Sequence, residues 1–460
     1  MEGDIMTHNC APEQPYGDSH LRKPPILLWL FWFSILFSPL VNFGVLLRVD
    51  QIVLPLVFYL LLVQKKFRIS IGGIGRRFAQ YALLCTFLGA VGGVVSLLME
   101  GIVNWYFIVN WPVKVLLHLI IGLAIIELTA KHETLLLPMG LRPLLIGTAI
   151  VGMIAVLQVS EFRGYIPDVG INKFLSQVYP YRMEREPMLT VSGYQLKTGR
   201  IGQATATFDG HPILLGNYLA FTSLVLFPLL RFSFKALILI PMFAGLFLSL
   251  ARASVLAWFG GLVLFLAMLG IHSLVTSRLK LFFRYMAMIA LAVLVLGTMF
   301  IASPLGETVR WRWVTTALTI QGFGPEEGRL AQVWPAVINT LRETGALAWL
   351  FGKPGGYVGP TDSQYLWVLA NAGIMGLLLF TGLHLYMLLV GWKAFISFWN
   401  TDKTMSLLGW GYTCAVVALL LMYIANPVLQ GDRLLTTLVV VSLMLDNDVK
   451  KLKNAKKNYG

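Results

Sequence analysis

Residues 251–265 read A-R-A-S-V-L-A-W-F-G-G-L-V-L-F, and this stretch decides the fold class. The segment before it, 236–250, is apolar as well, so two greasy runs meet with almost no linker and Arg252 sits in the tight turn between them. Hydrophobic runs of about 20 residues recur along the chain, which is the length a helix needs to cross a bilayer. In hydrocarbon every backbone polar group must be satisfied internally, which leaves helices or closed barrels. The runs here are continuous rather than alternating, so helices are predicted. Composition agrees. Of 460 residues 57% are hydrophobic and 13% charged, with a mean hydropathy of +0.73, whereas soluble domains carry about a quarter charged residues. The expected fold class is all-α, a polytopic membrane protein.

Twelve spans are predicted, at 26–41, 45–63, 78–98, 112–129, 143–160, 212–230, 236–250, 254–271, 286–302, 371–392, 406–424 and 431–446. Residues 1–25 form a polar N-terminal tail, with Arg22 and Lys23 just before the first run. That run lacks a small-residue cleavage site and reads as an uncleaved helix. With the N-terminus inside, the basic segments 64–77 and 278–284 and the basic tail 447–460 all fall on the cytoplasmic side. Short outer loops then carry only Arg48, Arg252 and Arg433, as the positive-inside rule requires. An even number of spans puts both termini in the cytoplasm. The chain divides into spans one to five (26–160), an outer loop (161–211), spans six to nine (212–302), a large outer loop (303–370) and spans ten to twelve (371–446).

The net charge of +14 invites a nucleic-acid reading. The basic residues are scattered between apolar spans rather than gathered on one soluble face, which argues against it. Cys10, Cys85 and Cys414 are isolated, so neither a disulfide nor a metal site is expected, and no cofactor is implied. Few ionisable groups lie within the spans. Lys114 and His118 are one helical turn apart near the outer end of the fourth, and His384 is in the middle of the tenth. The scarcity of such groups, and the lack of an inverted repeat, count against a transporter.

The chemistry is concentrated in the outer segments. Arg200 lies in GRIGQATATFDGHPILLGNYL (199–219), and its planar fork of donors suits phosphate oxygens. His211 precedes Pro212 at a helix start and reads as a base or a cap. Arg252, so close to two spans, faces a cavity or snorkels to lipid phosphate. The large loop interleaves Arg310, Arg312 and Arg329 with Trp311, Trp313 and Trp334. Tryptophan there stacks on sugar rings or sits in the interfacial belt. FGKPGGY (351–357) either lets backbone approach a ligand or turns the chain. Asp362 and Ser363 stand at the mouth of the tenth span, followed by Tyr365. Asp362 is a natural helix N-cap, or a carboxylate able to deprotonate a sugar hydroxyl. Loops this long between spans are commonly functional.

These pieces, in their order, resemble the O-antigen ligase/polymerase superfamily. The similarity lies in an outer arginine before T-F-x-x-H-P (207–212), an R-A-S turn opening an apolar span, and an arginine followed by Trp. It continues in a G-x-P-G turn, a polar pair with Tyr-Leu, and a G-I-x-G-L-L span. It covers 199–380. Where the superfamily often has His-Asn-x-Tyr-Leu, this chain has Asp362-Ser363-Gln364-Tyr365-Leu366, and Ile213 stands where Asn is common. The acidic residue makes the chain look most like a Wzy-type polymerase rather than a ligase.

The resemblance implies a fold similar to the GT-C membrane glycosyltransferases, with two large periplasmic loops in the bacterial inner membrane. It implies undecaprenyl-diphosphate-linked glycans as substrates, with a flippase and a chain-length regulator as partners alongside membrane lipids. The expected site has Asp362 and Arg329 as catalytic residues. Arg200, Arg252, Arg310, Arg312, His211, Tyr365 and Trp334 are expected to bind substrate, with no metal. A ligase or oligosaccharyltransferase with His211 as base, and a lipid-linked sugar transporter, are the alternatives.

Overall fold

The computed structural model describes residues 24–37, 39–42, 46–48, 73–100, 111–129, 135–162, 164–178, 204–208, 211–229, 238–275, scattered positions of 279–298, 329–353, 363–425, 428 and 431–459. Among the described residues the elements are helical apart from one small hairpin. In chain order they are α1 (Ile26–Phe37), β1 (Leu40–Asn42), β2 (Leu46–Arg48), α2 (Ile74–Glu100), α3 (Trp111–Thr129), α4 (Leu136–Phe162), α5 (Ile171–Val178), α6 (Pro212–Leu226), α7 (Leu239–Leu248), α8 (Arg252–Val275), α9 (Arg329–Thr344), α10 (Ala346–Phe351), α11 (Gln364–Phe398), α12 (Lys403–Ala425) and α13 (Asp432–Tyr459). Among the described residues, seven segments are long and apolar enough to cross a membrane: Ile74–Leu98, Pro112–Thr129, Leu136–Phe162, Pro212–Leu229, Arg252–Leu274, Gln364–Phe398 and Lys403–Ala425. Helices α1 and α7 are apolar but shorter. The chain is a multi-pass, helical membrane protein.

Several boundaries differ from expectation. The first run stops at Phe37, and Leu40–Asn42 pairs antiparallel with Leu46–Arg48, so the predicted second span opens as a strand where described. The large outer loop is not irregular throughout, because it contains α9 and α10. The tenth span begins at Gln364 rather than 371, and the twelfth runs on unbroken through the basic tail to Tyr459. The predicted ninth span falls largely outside the described residues.

Small residues set the helix spacing. Without a hydrophobic driving force between helices in lipid, packing depends on close backbone approach. A side chain at Gly409 would come within 2.7 Å of the Phe395 amide nitrogen, and one at Gly391 within 3.0 Å of the Gly409 carbonyl oxygen. Glycines on both helices therefore bring α11 and α12 together. Gly152 of α4 and Gly245 of α7 face one another in the same manner, with Gly152 against the Pro241 backbone. Several buried hydroxyls bond back into their own helix, as Thr222 does to Tyr218 O (2.7 Å) and Ser442 to Leu438 O (2.6 Å). That removes the cost of an unmade hydrogen bond.

One helix ties the bundle together. At one end of α13 the Asp446 carboxylate accepts the Ile74 N–H at the start of α2 (3.1 Å) and pairs with Lys450 (2.6 Å). The two oxygens of Asp448 accept the Leu136 and Leu137 N–H groups at the start of α4, both at 2.9 Å. Carboxylates at helix N-termini satisfy donors that the helix itself leaves unbonded. Burial pushes the Asp448 carboxyl up from 3.8 to about 6, against the pull of those two amides and Lys451. At its other end α13 meets the beginnings of α3 and α6, where the candidate site lies.

Candidate functional site

The segment 204–208 is a turn held on three sides. Gln158, near the end of α4, accepts the Thr205 and Ala206 N–H groups at 2.8 Å through its side-chain oxygen, and its amide donates to the Thr205 hydroxyl at 2.9 Å. The Ala204 N–H bonds the Leu248 carbonyl at the end of α7 (2.9 Å), just before the turn that leads to Arg252. The His211 N–H bonds the Phe208 carbonyl (2.8 Å), which leads the chain into α6. Ala206 adopts a positive φ of 45° to make this turn. The turn that carries T-F-x-x-H-P (207–212) is thus tied to the end of α7, which leads into the R-A-S turn.

The contact continues one turn deeper. The Ser254 hydroxyl donates to the side-chain oxygen of Asn217 at 2.5 Å, tying α8 to α6. Gly216 leaves room for Ala251 and for Ser249 Oγ. Arg252 is the first residue of α8 and is half-buried. His211 occupies the N-cap position of α6 with extended backbone (φ −100°, ψ 101°), but its side chain makes no cap hydrogen bond, and Pro212 follows. The capping role is therefore not the one His211 plays.

A second group forms where α11 begins. The N-cap position belongs to Ser363 rather than Asp362, and the Ser363 hydroxyl donates to the Tyr423 carbonyl of α12 (3.0 Å) instead of capping. The Tyr365 hydroxyl donates to the Leu420 carbonyl (3.0 Å), and its ring meets Phe380 and Tyr423 edge-on. Tyr365 therefore anchors α11 to α12. Beneath it, His384 Nδ1 lies 2.8 Å from the Phe380 carbonyl and Nε2 lies 2.8 Å from the Tyr423 hydroxyl. A carbonyl only accepts, so Nδ1 carries the proton and Nε2 accepts from the tyrosine. His384 is a satisfied core residue.

Helix α11 is broken at Gly373, whose φ of 65° and ψ of −166° are not helical. The break leaves the Ala370 carbonyl without its usual helical donor, and the Lys353 N–H supplies one at 2.7 Å. Gly352 and Gly373 let the two backbones touch: a side chain on Gly373 would collide with the Leu350 carbonyl, and one on Gly352 with the Asn371 and Ala372 backbone. Gly352 and Lys353, at the start of F-G-K-P-G-G-Y, thus dock on the break in the G-I-x-G helix. Helices α9 and α10 cover the first turns of α11 through Val337, Leu341 and Ala348 against Leu366 and Ala370. Trp334 and Trp349 lie half-buried at the edge of that patch.

Arg329 opens α9. Arg200, Arg310, Arg312 and Asp362 lie outside the described residues.

Sequence reasoning missed one cluster. The Lys114 ammonium of α3 pairs with the Asp432 carboxylate of α13, and His118 Nε2 lies 4.0 Å from the same oxygen. Thr436 Oγ1 lies 2.9 Å from His118 Nδ1. Arg433 is 2% exposed, with its guanidinium carbon 4.9 Å from the centre of the Phe208 ring. The spacing of Lys114 and His118 was a visible signal, but their partners lie over three hundred residues away in the chain.

No protein-family model matches the chain, and a search of curated proteins finds no match.

Proposed function

We propose that the chain is a Wzy-type polymerase, joining undecaprenyl-diphosphate-linked repeat units into O-antigen or exopolysaccharide at the periplasmic face of the inner membrane. In this reading the fold is a GT-C-like arrangement of twelve spans with both termini cytoplasmic, and a flippase and a chain-length regulator act beside it. The observation that carries the reading is that motifs far apart in sequence meet in pairs. The turn that carries T-F-x-x-H-P bonds the end of α7 ahead of the R-A-S turn, and Lys353, at the start of the Gly-rich stretch, bonds Ala370 beside the break in α11.

The reaction forms a bond between the terminal hydroxyl oxygen of the incoming unit and the anomeric carbon of the growing glycan. The bond from that carbon to the lipid diphosphate breaks, the electron pair leaves with the diphosphate, and Asp362 takes the hydroxyl proton. Charge develops on the departing diphosphate, so Arg200, Arg252 and Arg329 stabilise the transition state. Arg310, Arg312, Tyr365 and Trp334 line the approach.

Transfer to a different acceptor, with His211 as base, is the second reading, favoured by a His211 side chain that does not cap α6.

The test gives purified protein a lipid-diphosphate-linked repeat unit and reads products on a gel. Wild type gives a ladder. Asp362→Asn and Arg329→Ala lose it, with a rate loss of about 10²–10⁴ for a missing base. A ladder that survives Asp362→Asn but not His211→Ala moves the base to His211. A product on another acceptor, with no ladder, moves the activity to ligase. Transport of substrate without new glycosidic bonds removes the enzyme reading.

A further inference from the structure

The cluster of Lys114, His118, Asp432, Arg433 and Thr436 has no role in the reaction as written above. Its geometry is specific. The Thr436 hydroxyl has one proton, and it lies 2.8 Å from the Asp432 carbonyl, an acceptor only. Its contact with His118 Nδ1 then requires that nitrogen to donate. The imidazole is thereby fixed with Nε2 turned toward Asp432 and Lys114, at the end of the α3–α13 pair. Lys114 and Asp432 are each about one-fifth exposed in their side chains, while His118 is buried beneath them.

Arg433 comes next in the chain and joins this cluster to the turn that carries T-F-x-x-H-P. Its guanidinium lies over the Phe208 ring, and Tyr218, buried on α6, is close enough for the charge to act on it. A planar, permanently charged fork held against an aromatic face is preorganised for bidentate contact with phosphate oxygens. Lys114 adds a point charge on the more open side. Ionisable groups packed among membrane helices mark ligand pathways more often than they serve as ordinary surface charges.

We propose that Arg433 and Lys114, at the end of the α3–α13 pair where Asp432, His118 and Thr436 also lie, form a binding site for a phosphate-bearing group. This deepens the polymerase reading by naming a place for the diphosphate. Binding is measured separately from polymerisation, so each can fail alone.

The probes are farnesyl diphosphate, a short lipid-borne diphosphate, and inorganic pyrophosphate. Each is titrated into the full-length protein in neutral detergent and followed by thermal stabilisation. Farnesyl diphosphate is expected to raise the melting temperature of wild type. Lys114→Gln and Arg433→Gln are expected to weaken its apparent affinity by roughly tenfold or more, the cost of one charged hydrogen bond. Arg433→Lys should recover part of the loss. Lys403→Gln, an exposed charge at the start of α12, should bind as wild type does.

If Arg433→Gln does not fold, Lys114→Gln at the more open position carries the test. Stabilisation by farnesyl diphosphate alone assigns the site to a lipid headgroup. Equal stabilisation by pyrophosphate assigns it to a free phosphate species. No stabilisation by either probe, or wild-type affinity in Lys114→Gln, overturns the proposal. Diphosphate binding that persists in a variant without a ladder, such as Asp362→Asn, keeps the site and leaves the polymerase question to the gel.

Discussion

At one end of α13, Asp446 and Asp448 face backbone amides; at the other, Asp432 faces the side chains of Lys114 and His118. The same residue type is used in two ways. A carboxylate on a helix N-terminus completes a set of backbone bonds and holds the bundle together. A carboxylate among titratable side chains, near the exposed end of a helix pair, holds charges that a ligand can engage. The first kind of end is structural and the second has the chemical makings of a site.

Three measurements would break or sharpen this comparison. The largest effect is expected at the break in α11. Gly373→Ala puts a side chain onto a positive φ and into the Leu350 carbonyl. Strain and overpacking together should cost about 2–5 kcal/mol, read as a large fall in melting temperature with loss of the ladder. An unchanged protein would mean that the α10–α11 contact is loose. Next, Asp448→Ala leaves the Leu136 and Leu137 amides without their acceptor and should cost about 1–2 kcal/mol. Activity per folded molecule should stay near wild type, in contrast to Asp362→Asn. If Asp448→Ala instead abolished turnover while remaining folded, the division between the two ends would fail.

The smallest effect is the pH dependence. Because burial raises the Asp448 carboxyl from 3.8 to about 6, its protonated form is the better tolerated one in the folded protein. The stabilising contribution is present below 3.8 and is lost as pH rises through about 6. Melting temperature should fall by about 2 °C or more across that window in wild type, and this component should be missing from Asp448→Asn. The same slope in both proteins would assign the titration elsewhere.

The apolar helices were legible because about 20 apolar residues in a row state their own secondary structure. α2, α3, α4, α6, α8, α11 and α12 each overlap a predicted span. α9 and α10 were not legible: α9 is mixed in polarity and carries Pro335 within it, α10 is only six residues long, and both pack through the patch they form with Leu366 and Ala370. The break at Gly373 was hidden because the run around it is apolar but for Asn371, and only the touching backbone of Leu350 gives it a cause.

Of the candidate site residues, His211, Arg252, Tyr365 and Trp334 were singled out by residue type and placement, and these four lie among the described residues. Tyr365 proved to be an anchor between helices. Arg433 read as an ordinary loop charge, because nothing local announces that Phe208 will lie against it. Asp446 and Asp448 read as the end of a span beside a basic tail, since the amides they accept come from other helices.

The clamps of α13 also set an order of events during synthesis. The Ile74 amide leaves the ribosome 372 residues ahead of the carboxylate that accepts it, and the Leu136 amide 312 residues ahead of Asp448. Until translation has passed residue 448, the starts of α2 and α4 must bond water, headgroups or an insertion factor instead. Closure of the bundle is then a late, post-insertion step, and a nascent chain halted before α13 exposes those two helix starts to cellular quality control.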